Sequence, residues 1–358
     1  MSEFLPEEIV VQILSRLPAK SVLKFSCVCK LWNCIIKNPN FISTFSSNKH
    51  NHYICLLRSF SDQLSLHMDN EDLDEYLSLN LPFNVGNIFI AAGCSNGLVC
   101  LYYVTAYKFI FWNPSIRKSW LINEPICGLL GSVNVTGFGF DSRTNDYKLL
   151  LARFSVCSIK DVVLYSLNSN SWKKITNFGG GRTIIIEGIG SLNTSVLVNG
   201  RFYWLVIAEK KNIVLIFDLR DETFGEISLP RCLENAYPKP LQIKAFGESS
   251  IAIACIKSLC ECDIWVMKEY ETCEWMKLAT VGNCSQVLEF RDNGEVLVQS
   301  DRKRSLASRN IKNLASHNIK NGCIKNPMAL ESNETVCAYR YVESLVLLDK
   351  RNDISNEP

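Results

Sequence analysis

The sequence predicts an α+β, multidomain protein in which a small module of three helices precedes a mainly β, propeller-like domain. Apolar residues recur at helical spacing between Leu5 and Ile36. Further along the chain, short apolar strands alternate with polar turns at a period near 50 residues, which lies in the kelch-like range of repeat lengths. The spacing predicts the helices, and the repeat predicts the β domain.

The first helix is predicted to begin at Pro6, where a missing N–H has no cost. Glu7 and Glu8 follow, and acidic side chains there complement the helix dipole. Pro18 ends this helix. The apolar residues between these points form one stripe: Ile9, Val10, Ile13, Leu14 and Leu17.

Two further short helices are predicted, one over 21–28 and one around 31–36, which Asn38-Pro39 ends. Three helices in about 35 residues bury little surface by themselves. Their apolar residues also exceed one stripe per helix. Part of this surface must therefore dock either on the β domain, as a cap, or on another protein, and the pattern leaves both readings open.

The repeat consists of an apolar strand, a polar turn and a closing aromatic residue. The four copies are FIFWNPSIRKSW, VVLYSLNSNSW, VLIFDLRDETF and CDIWVMKEYETCEW. Their closing residues Trp120, Trp172, Phe224 and Trp275 are separated by 52, 52 and 51 residues. This period predicts propeller blades of four strands each.

Tight turns are predicted at three Asn-Gly pairs, because both central positions of a type I′ turn need positive φ. The pairs are Asn96-Gly97, Asn199-Gly200 and Asn293-Gly294. Residues 138–151 predict a strand, a loop and a strand. Four aromatic residues in the repeat are predicted to be core between blades rather than ligand contacts: Trp112, Tyr165, Phe217 and Trp265.

The segment between the helices and the repeat predicts a mixed lead-in. It holds one strand, Tyr53–Phe60, and an acidic run over 69–75 that is expected to be a solvated loop.

Composition excludes several classes of function. The 38 basic and 36 acidic residues give a net charge of +2, which provides no attraction to nucleic acid or to an anionic membrane. The start of the chain lacks the pattern of a secretory signal, and no run of about 20 apolar residues predicts a membrane span. The 16 cysteines are therefore expected to be free thiols in a reducing compartment, the cytoplasm or also the nucleus.

No catalytic constellation is recognisable, and no cofactor is expected. The four histidines occur in neither an HExxH motif nor a zinc spacing. Cys260 and Cys262 could place two thiols on one face of a strand, but the paired knuckles of a metal site are missing. A basic cluster of Arg302, Lys303, Arg304 and Arg309 is interpreted as a solvated edge, with a binding surface for acidic partners as the alternative.

The helical stretch resembles the plant F-box. The resemblance is carried by Leu5-Pro6, ILSRLPAKSVLKF (13–25) and CVCKLW (27–32). The resemblance implies that the helices insert into a Skp-type adaptor, which is bound to a cullin ubiquitin ligase. It assigns adaptor contact to Leu5, Pro6, Ile9, Leu14, Leu17, Val22, Leu23, Val28, Cys29 and Trp32. Some of these residues must instead be internal core, and the sequence does not sort them.

The rest of the chain resembles the F-box-associated domain of plant F-box proteins, and within that family the S-locus F-box proteins of pollen. The resemblance is carried by five segments: WNPSIRKSW, GFGFDSRTNDYKLL, VVLYSLNSNSWKKI, IWVMKEYETCEWMKL and YVESLVLLD. The expected organisation is an adaptor-binding F-box over 1–45, a lead-in over 46–90, a substrate-binding β domain over 91–350 and a tail over 351–358.

This resemblance implies a non-catalytic substrate receptor of an Skp–cullin–F-box ubiquitin ligase. The S-locus resemblance implies a secreted ribonuclease as the target in self-incompatibility. Two alternatives stand beside it. One is a receptor of the same class for another target, such as an immune receptor. The other is a propeller lectin or enzyme with a helical cap.

Overall fold

The computed structural model describes most of the chain. The described residues are 5–47, 52–58, 63–81, 89–103, 108–122, 135–155, 158–176, 186–189, 195–208, 210–236, 240–258, 261–270, 272–302, 311–330 and 336–350. The chain divides into two compact units. The first comprises Met1–Asp69, Asp74–Glu124 and Tyr339–Pro358, and the second comprises Asn70–Leu73 and Pro125–Ala338.

Within the described residues, four helices rather than the three expected precede the first strand. They are α1 (Glu7–Leu14), α2 (Ala19–Phe25), α3 (Lys30–Lys37) and α4 (Pro39–Ser47). The fourth begins where the sequence analysis expected only an end. Asn38 Oδ1 accepts a hydrogen bond from the backbone N–H of Asn40 at 2.8 Å, and Pro39 takes the first helical position, where proline is favoured. The same Asn-Pro pair therefore ends α3 and starts α4.

The strands of the first half of the chain follow in order. They are β1 (His52–Arg58), β2 (Gln63–Met68), β3 (Glu75–Asn80), β4 (Phe89–Ser95), β5 (Leu98–Tyr103), β6 (Lys108–Asn113), β7 (Lys118–Ile122), β8 (Val135–Asp141), β9 (Asp146–Ser155), β10 (Ser158–Ser166) and β11 (Ser171–Ile175).

The second half holds the remaining strands and one short helix. They are β12 (Ile186–Ile189), β13 (Val196–Val198), β14 (Arg201–Ala208), β15 (Lys211–Asp218), β16 (Thr223–Ser228), α5 (Arg231–Glu234), β17 (Leu241–Phe246), β18 (Ser250–Ser258), β19 (Glu261–Glu269), β20 (Glu274–Gly282), β21 (Gln286–Phe290), β22 (Glu295–Arg302), β23 (Ile311–Asn318), β24 (Ile324–Leu330) and β25 (Val336–Val342).

The strands of the described residues form six sheets, which correspond to six blades of a mainly β propeller. Five sheets have four strands and one has five, because β12 and β13 both pair with β14. The expected fold class is confirmed. The first sheet has the order β25-β1-β2-β3, so the last strand completes the sheet that the first strands begin.

The lead-in contains more structure than its sequence suggested. It holds three strands, β1–β3, where one was expected. The repeat pattern missed this blade and the β21–β24 blade, since each has a polar turn before its last strand but lacks the closing tryptophan or phenylalanine that marks the other four. Pairing with β25 decides the first blade, and that pairing is not visible in local sequence.

The closing aromatic residues have a common role in the four blades that carry them. Each lies on the outer strand, opposite an apolar residue of the neighbouring strand. Trp172 pairs with Tyr165, with ring centroids 5.2 Å apart, and Phe224 pairs with Phe217 at 4.9 Å. Such cross-strand aromatic pairs stabilise a sheet. Tyr165 and Phe217 are fully buried, as expected, Trp112 is buried as well, and Trp265 is half-buried.

Two of the three Asn-Gly pairs form the expected turns. Asn96 and Gly97 have φ of 43° and 83°, and Asn199 and Gly200 have φ of 50° and 72°. At the third pair only Gly294 has positive φ, at 81°. The connection there runs from Phe290 to Glu295 and is longer than two residues, so the type I′ prediction is wrong at this position.

The acidic run is more than a solvated loop. Its charged side chains are exposed except for the half-buried Asp69, and Leu73 is only 2% exposed. The Asn70 carbonyl accepts a hydrogen bond from the buried guanidinium of Arg291. Lys325 Nζ lies 3.0 Å from Glu71 Oε1. One apolar side chain and two polar contacts therefore hold this turn in place.

In the part of the chain that the structure describes, no helix has the length and apolar character needed to cross a membrane.

Candidate functional site

The helical module has an inner core that residues of the first unit complete. Its buried helical residues are Val10, Leu14, Ala19, Val22, Ile35, Ile36, Phe41, Ile42 and Phe45. Ile116, from the β6–β7 turn, and Leu345, which follows β25, belong to the same core. Leu345 is 0% exposed. The helices therefore do pack on the β part of this unit, as the cap reading expected.

A second apolar face of the module points away from this core. On α1, Ile9 and Ile13 are 40% and 46% exposed, and Leu5, just before the helix, is 56% exposed. These residues are spaced four apart, so they lie along one side of the helix. Val10 and Leu14 lie about 100° further round the helix and are buried. The apolar stripe of α1 is therefore only half covered, which is typical of a helix that packs between two partners.

The connection between α2 and α3 is also apolar and exposed. Val28 is 60% and Leu31 is 47% exposed. Cys29 Sγ accepts a hydrogen bond from the Trp32 backbone N–H at 3.5 Å and so caps the start of α3. Behind this connection, Phe25 and Trp32 meet edge to face, with centroids 5.5 Å apart. Both rings are half-buried and pack against the inner core of the module.

Comparison with known protein families assigns both parts of the chain. The F-box domain family matches residues 3–44. The family described as the F-box associated beta propeller domain matches residues 43–348. This chain belongs to the F-box proteins with an F-box-associated β-propeller.

Similar proteins of Arabidopsis thaliana carry the same description. F-box protein CPR1 is 25% identical over 335 residues, which cover 86% of this chain and 80% of that protein. An F-box/kelch-repeat protein is 24% identical over 299 residues, covering 77% of this chain and 79% of that protein. A putative F-box protein is 28% identical over 249 residues, covering 63% and 62%. An F-box domain implies binding to a Skp-type adaptor and to a protein substrate, and F-box proteins are generally substrate adaptors rather than enzymes.

The structure sorts the ten F-box residues to which the resemblance assigned adaptor contact. Five are exposed: Leu5, Pro6, Ile9, Val28 and Cys29. Three are half-buried: Leu17, Leu23 and Trp32. Two are 0% exposed: Leu14 and Val22.

Leu14 and Val22 therefore present no surface to a partner in this structure and lie in the internal core, as the sequence analysis expected for some of the ten. Leu14 lies one helical turn after Val10, so both face the same core, to which Val22 of α2 also belongs. The other eight assignments stay predictions. Ile13 and Leu31 are exposed but were not assigned. Their spacing from Ile9 and Val28 was the signal that could have found them.

Charge on the F-box is unevenly distributed. Between Leu5 and Ser47 the only acidic residues are Glu7 and Glu8, both at the start of α1. Five basic residues are exposed on the same helices or next to them: Arg16, Lys20, Lys24, Lys30 and Lys37. The exposed apolar residues are thus accompanied by an excess of positive charge, which suits an acidic partner.

Metal and thiol chemistry receives no support from the described residues. Among them, no group of three or more His, Cys, Asp or Glu side chains is placed to hold a metal ion. Cys255 and Cys262 are buried, and a hydrogen bond to Cys284 together with burial raises the pKa of Cys262 far above its usual range. Cys260 lies outside the described residues. So do Lys303, Arg304 and Arg309 of the basic cluster and the side chain of Arg302.

Two of the four histidines, His67 and His317, have side chains that the structure describes, and both are buried. His67 is fully buried, with Nε2 2.9 Å from Ser65 Oγ. His317 on β23 is 4% exposed, and its Nε2 atom has no hydrogen-bond partner within the described part of the chain. Burial lowers the pKa of His317 from its ordinary value of 6.5.

This burial predicts a pH dependence of stability. The unfolded chain binds a proton at His317 more readily than the folded chain does. The free energy of unfolding is therefore not reduced by His317 above about pH 6.5, where the residue is neutral in both states. Below that pH it decreases, by at most about 1.4 kcal/mol per pH unit for this one group. We expect His317→Gln to flatten this slope in urea unfolding measured between about pH 5 and pH 7.5. An unchanged slope would assign the dependence to other groups.

Proposed function

We propose that this F-box protein is the substrate-recognition subunit of an Skp–cullin–F-box E3 ubiquitin ligase. The helical module binds the Skp-type adaptor, and through it the cullin. The β-propeller domain binds the protein substrate. The observation that carries the proposal is the second apolar face of the F-box, which remains exposed after the module has packed on the β part of its unit.

The energetics favour a protein partner at this face. Moving a Leu, Ile or Val side chain from full exposure to burial contributes about 1.5–3 kcal/mol. Leu5, Ile9, Ile13, Val28 and Leu31 are each between 40% and 60% exposed. Covering them together therefore supplies several kcal/mol toward association. The surrounding basic residues add electrostatic attraction that accelerates binding of an acidic surface and weakens with salt.

A receptor of this kind needs no catalytic residue of its own. It holds a substrate close to the ubiquitin-loaded enzyme that other subunits carry, so its contribution is proximity and orientation. We place this activity in the cytoplasm, with the nucleus as a further compartment. The S-locus resemblance supports a secreted ribonuclease taken up by the pollen tube as the substrate.

The adaptor interaction is tested with the full chain and a plant Skp-type adaptor. We expect Ile13→Asp to weaken binding at least about thirtyfold, because an interface hot spot accounts for about 2 kcal/mol or more. Binding constants by calorimetry would measure this. Ile324 is a matched control, because it is 43% exposed on β24, against 46% for Ile13. We expect Ile324→Asp to bind the adaptor as the unchanged chain does.

Two outcomes would contradict the ligase role. The unchanged chain could fail to bind any plant Skp-type adaptor, and the body would then be screened as a lectin or an enzyme. Alternatively, Ile13→Asp could bind as tightly as the Ile324→Asp control, and the exposed face would then serve something other than the adaptor.

The substrate is tested separately. The full chain in complex with its adaptor should retain S-locus ribonucleases and should not retain a secreted ribonuclease from outside the locus. Equal binding of both, or of neither, would reject the S-locus substrate while leaving the adaptor result unaffected.

A further inference from the structure

The segment Glu343–Lys350, which we call the C-terminal strap, follows β25 and forms neither helix nor strand. It lies between the helical module and the β4–β7 sheet, all within the first unit. Ser344 and Leu345 are 0% exposed, and Leu347 is 2% exposed. Its position raises the question of what a buried, irregular segment does between two regular parts of the protein.

On one side the strap contacts the helices. Glu343 Oε2 accepts a hydrogen bond from the backbone N–H of Ala19, the first residue of α2, at 2.9 Å. Tyr76 donates to the other carboxylate oxygen at 3.4 Å. Burial raises the pKa of Glu343, although both hydrogen bonds act in the opposite direction. Leu345 inserts into the core of the module, with Val346 and Leu348 packed against the same core.

On its other side the strap is bound by the β4–β7 sheet. An irregular buried segment has no strand partner for its carbonyl groups, and each unpaired carbonyl would be costly. Asn113 Nδ2 donates to the carbonyls of Ser344 and Val346 at 3.0 and 2.9 Å. Lys118 Nζ donates to the carbonyls of Leu348 and Lys350 at 3.0 and 2.8 Å. Two side chains of one sheet thus satisfy four carbonyl groups.

The turn at Gly97 presses on the strap as well. A Cβ atom at this position would lie 2.4 Å from both Cβ and Oγ of Ser344. Such a separation is not possible without a shift of the strap or of the turn. Gly97 therefore allows the β4–β5 hairpin to approach the strap closely, in addition to supplying the positive φ of its turn.

We propose that the C-terminal strap positions the F-box on the β part of the first unit, with Glu343 and Leu345 as the positioning residues on the helical side. Parts of a chain that share a small interface move relative to one another by default. The strap makes apolar contacts and a hydrogen bond to the helices and further hydrogen bonds to the β4–β7 sheet, and so holds the helices in one orientation on this unit. A receptor gains from this because transfer to a substrate depends on orientation as well as on proximity.

The test measures the distance between the helices and the β part of the first unit. Spin labels are introduced as unnatural amino acids at two exposed positions, Gln12 on α1 and Glu75 on β3, because the 16 cysteines rule out thiol labelling. Pulsed electron paramagnetic resonance on the full chain should give one narrow distance peak. We expect Gly97→Ala to abolish that narrow peak, because the new methyl group displaces the strap.

Gly294→Ala is the matched control. Gly294 has φ of 81°, against 83° for Gly97, but a Cβ atom at Gly294 would meet nothing within 4 Å. Both substitutions impose the same backbone strain, and only one reaches the strap. Leu345→Ala and Leu314→Ala form a second pair, since both leucines are 0% exposed and only Leu345 belongs to the strap. Gly294→Ala and Leu314→Ala should keep the narrow peak.

The inference is overturned if Gly97→Ala and Leu345→Ala keep the narrow peak, or if the two controls lose it as well, since the loss would then reflect general destabilisation. Adaptor binding is measured in parallel and should be unchanged in the strap variants, whose substitutions lie away from the exposed apolar face. Failure of the unchanged chain to bind any adaptor would count against the ligase role alone and would leave the distance result standing.

Discussion

Replacing Arg291 with alanine should lower the free energy of unfolding by about 3–5 kcal/mol, because it removes one member of a buried, hydrogen-bonded charge network. The Arg291 side chain is 0% exposed, and Glu295, its ionic partner, is 8% exposed. Their closest atoms, Nη1 and Oε2, lie 2.8 Å apart. Without the guanidinium, a buried carboxylate would keep only a more distant counter-charge, Lys325, whose Nζ atom lies 3.9 Å from Glu295 Oε1.

The network extends beyond this pair. Arg291 also donates to Ser316 Oγ at 3.0 Å and to the Asn70 carbonyl in the acidic run. Ser316 and Asn293 both donate to Glu295 Oε2, at 2.7 and 3.1 Å. Burial by itself would raise the pKa of Glu295, but these hydrogen bonds and the neighbouring positive charges outweigh it, so that the pKa lies below the ordinary value of 4.5.

Urea unfolding at neutral pH, followed by circular dichroism, would measure the effect of Arg291→Ala. The control is Lys268→Ala, which breaks an exposed pair with Glu274, the two side chains being 45% and 57% exposed. Exposed pairs contribute about 0–1 kcal/mol. A similarly small change for Arg291→Ala would show that solvent already compensates the buried charge. Because the pKa of Glu295 is depressed, its contribution should be present above about pH 4.5 and be lost as the pH falls through the lower, folded-state pKa.

The second large effect is expected at Leu14. Leu14→Ala should lower the free energy of unfolding by about 2–5 kcal/mol, since the side chain is fully buried and its removal leaves a cavity. Leu14 is 0% exposed in the core that Ile36, Phe41 and Leu345 share. The loss of packing should also affect the β part of the unit, because Leu345 belongs to the same core.

The adjacent residue provides the control. Ile13 is 46% exposed, and Ile13→Ala should change the free energy of unfolding by about 0.5 kcal/mol or less. The two variants should differ in opposite ways in melting temperature and in adaptor affinity. Leu14→Ala should lower the melting temperature and, below that temperature, bind the adaptor almost normally. Ile13→Ala should melt as the unchanged chain does and bind more weakly. If both variants lost only stability, the outward side of α1 would be structural.

Several features were readable from local sequence because local physics dictates them. Pro6 with Glu7 and Glu8 marked the start of α1, and Asn38-Pro39 marked the end of α3. Pro18 was expected to end α1, but that helix already ends at Leu14, and Pro18 is the N-cap residue of α2. The turn-and-aromatic repeat at 52, 52 and 51 residues identified four of the six blades, since the closing aromatic pairs with the adjacent strand of the same sheet. Asn96-Gly97 and Asn199-Gly200 adopted the positive φ values that their residue types favour.

Other features depended on partners distant in sequence. The first blade exists because β25 pairs with β1, which no pattern within residues 46–90 records. Asn293-Gly294 departs from the short turn because Arg291 and Glu295 pair across a longer connection.

The F-box shows the division most clearly. Its sequence by itself determined that four or five residues in each of α1, α2 and α3 are apolar and that one stripe per helix cannot hold them all. Which of them became core was decided by the tertiary structure, in which Ile116 and Leu345, from positions far along the chain, complete the core of the helices. Burial depends on which residues pack against a side chain, and here many of those residues are distant in sequence. Leu14 and Val22 are buried as a result, whereas Ile9, Ile13, Val28 and Leu31 remain exposed.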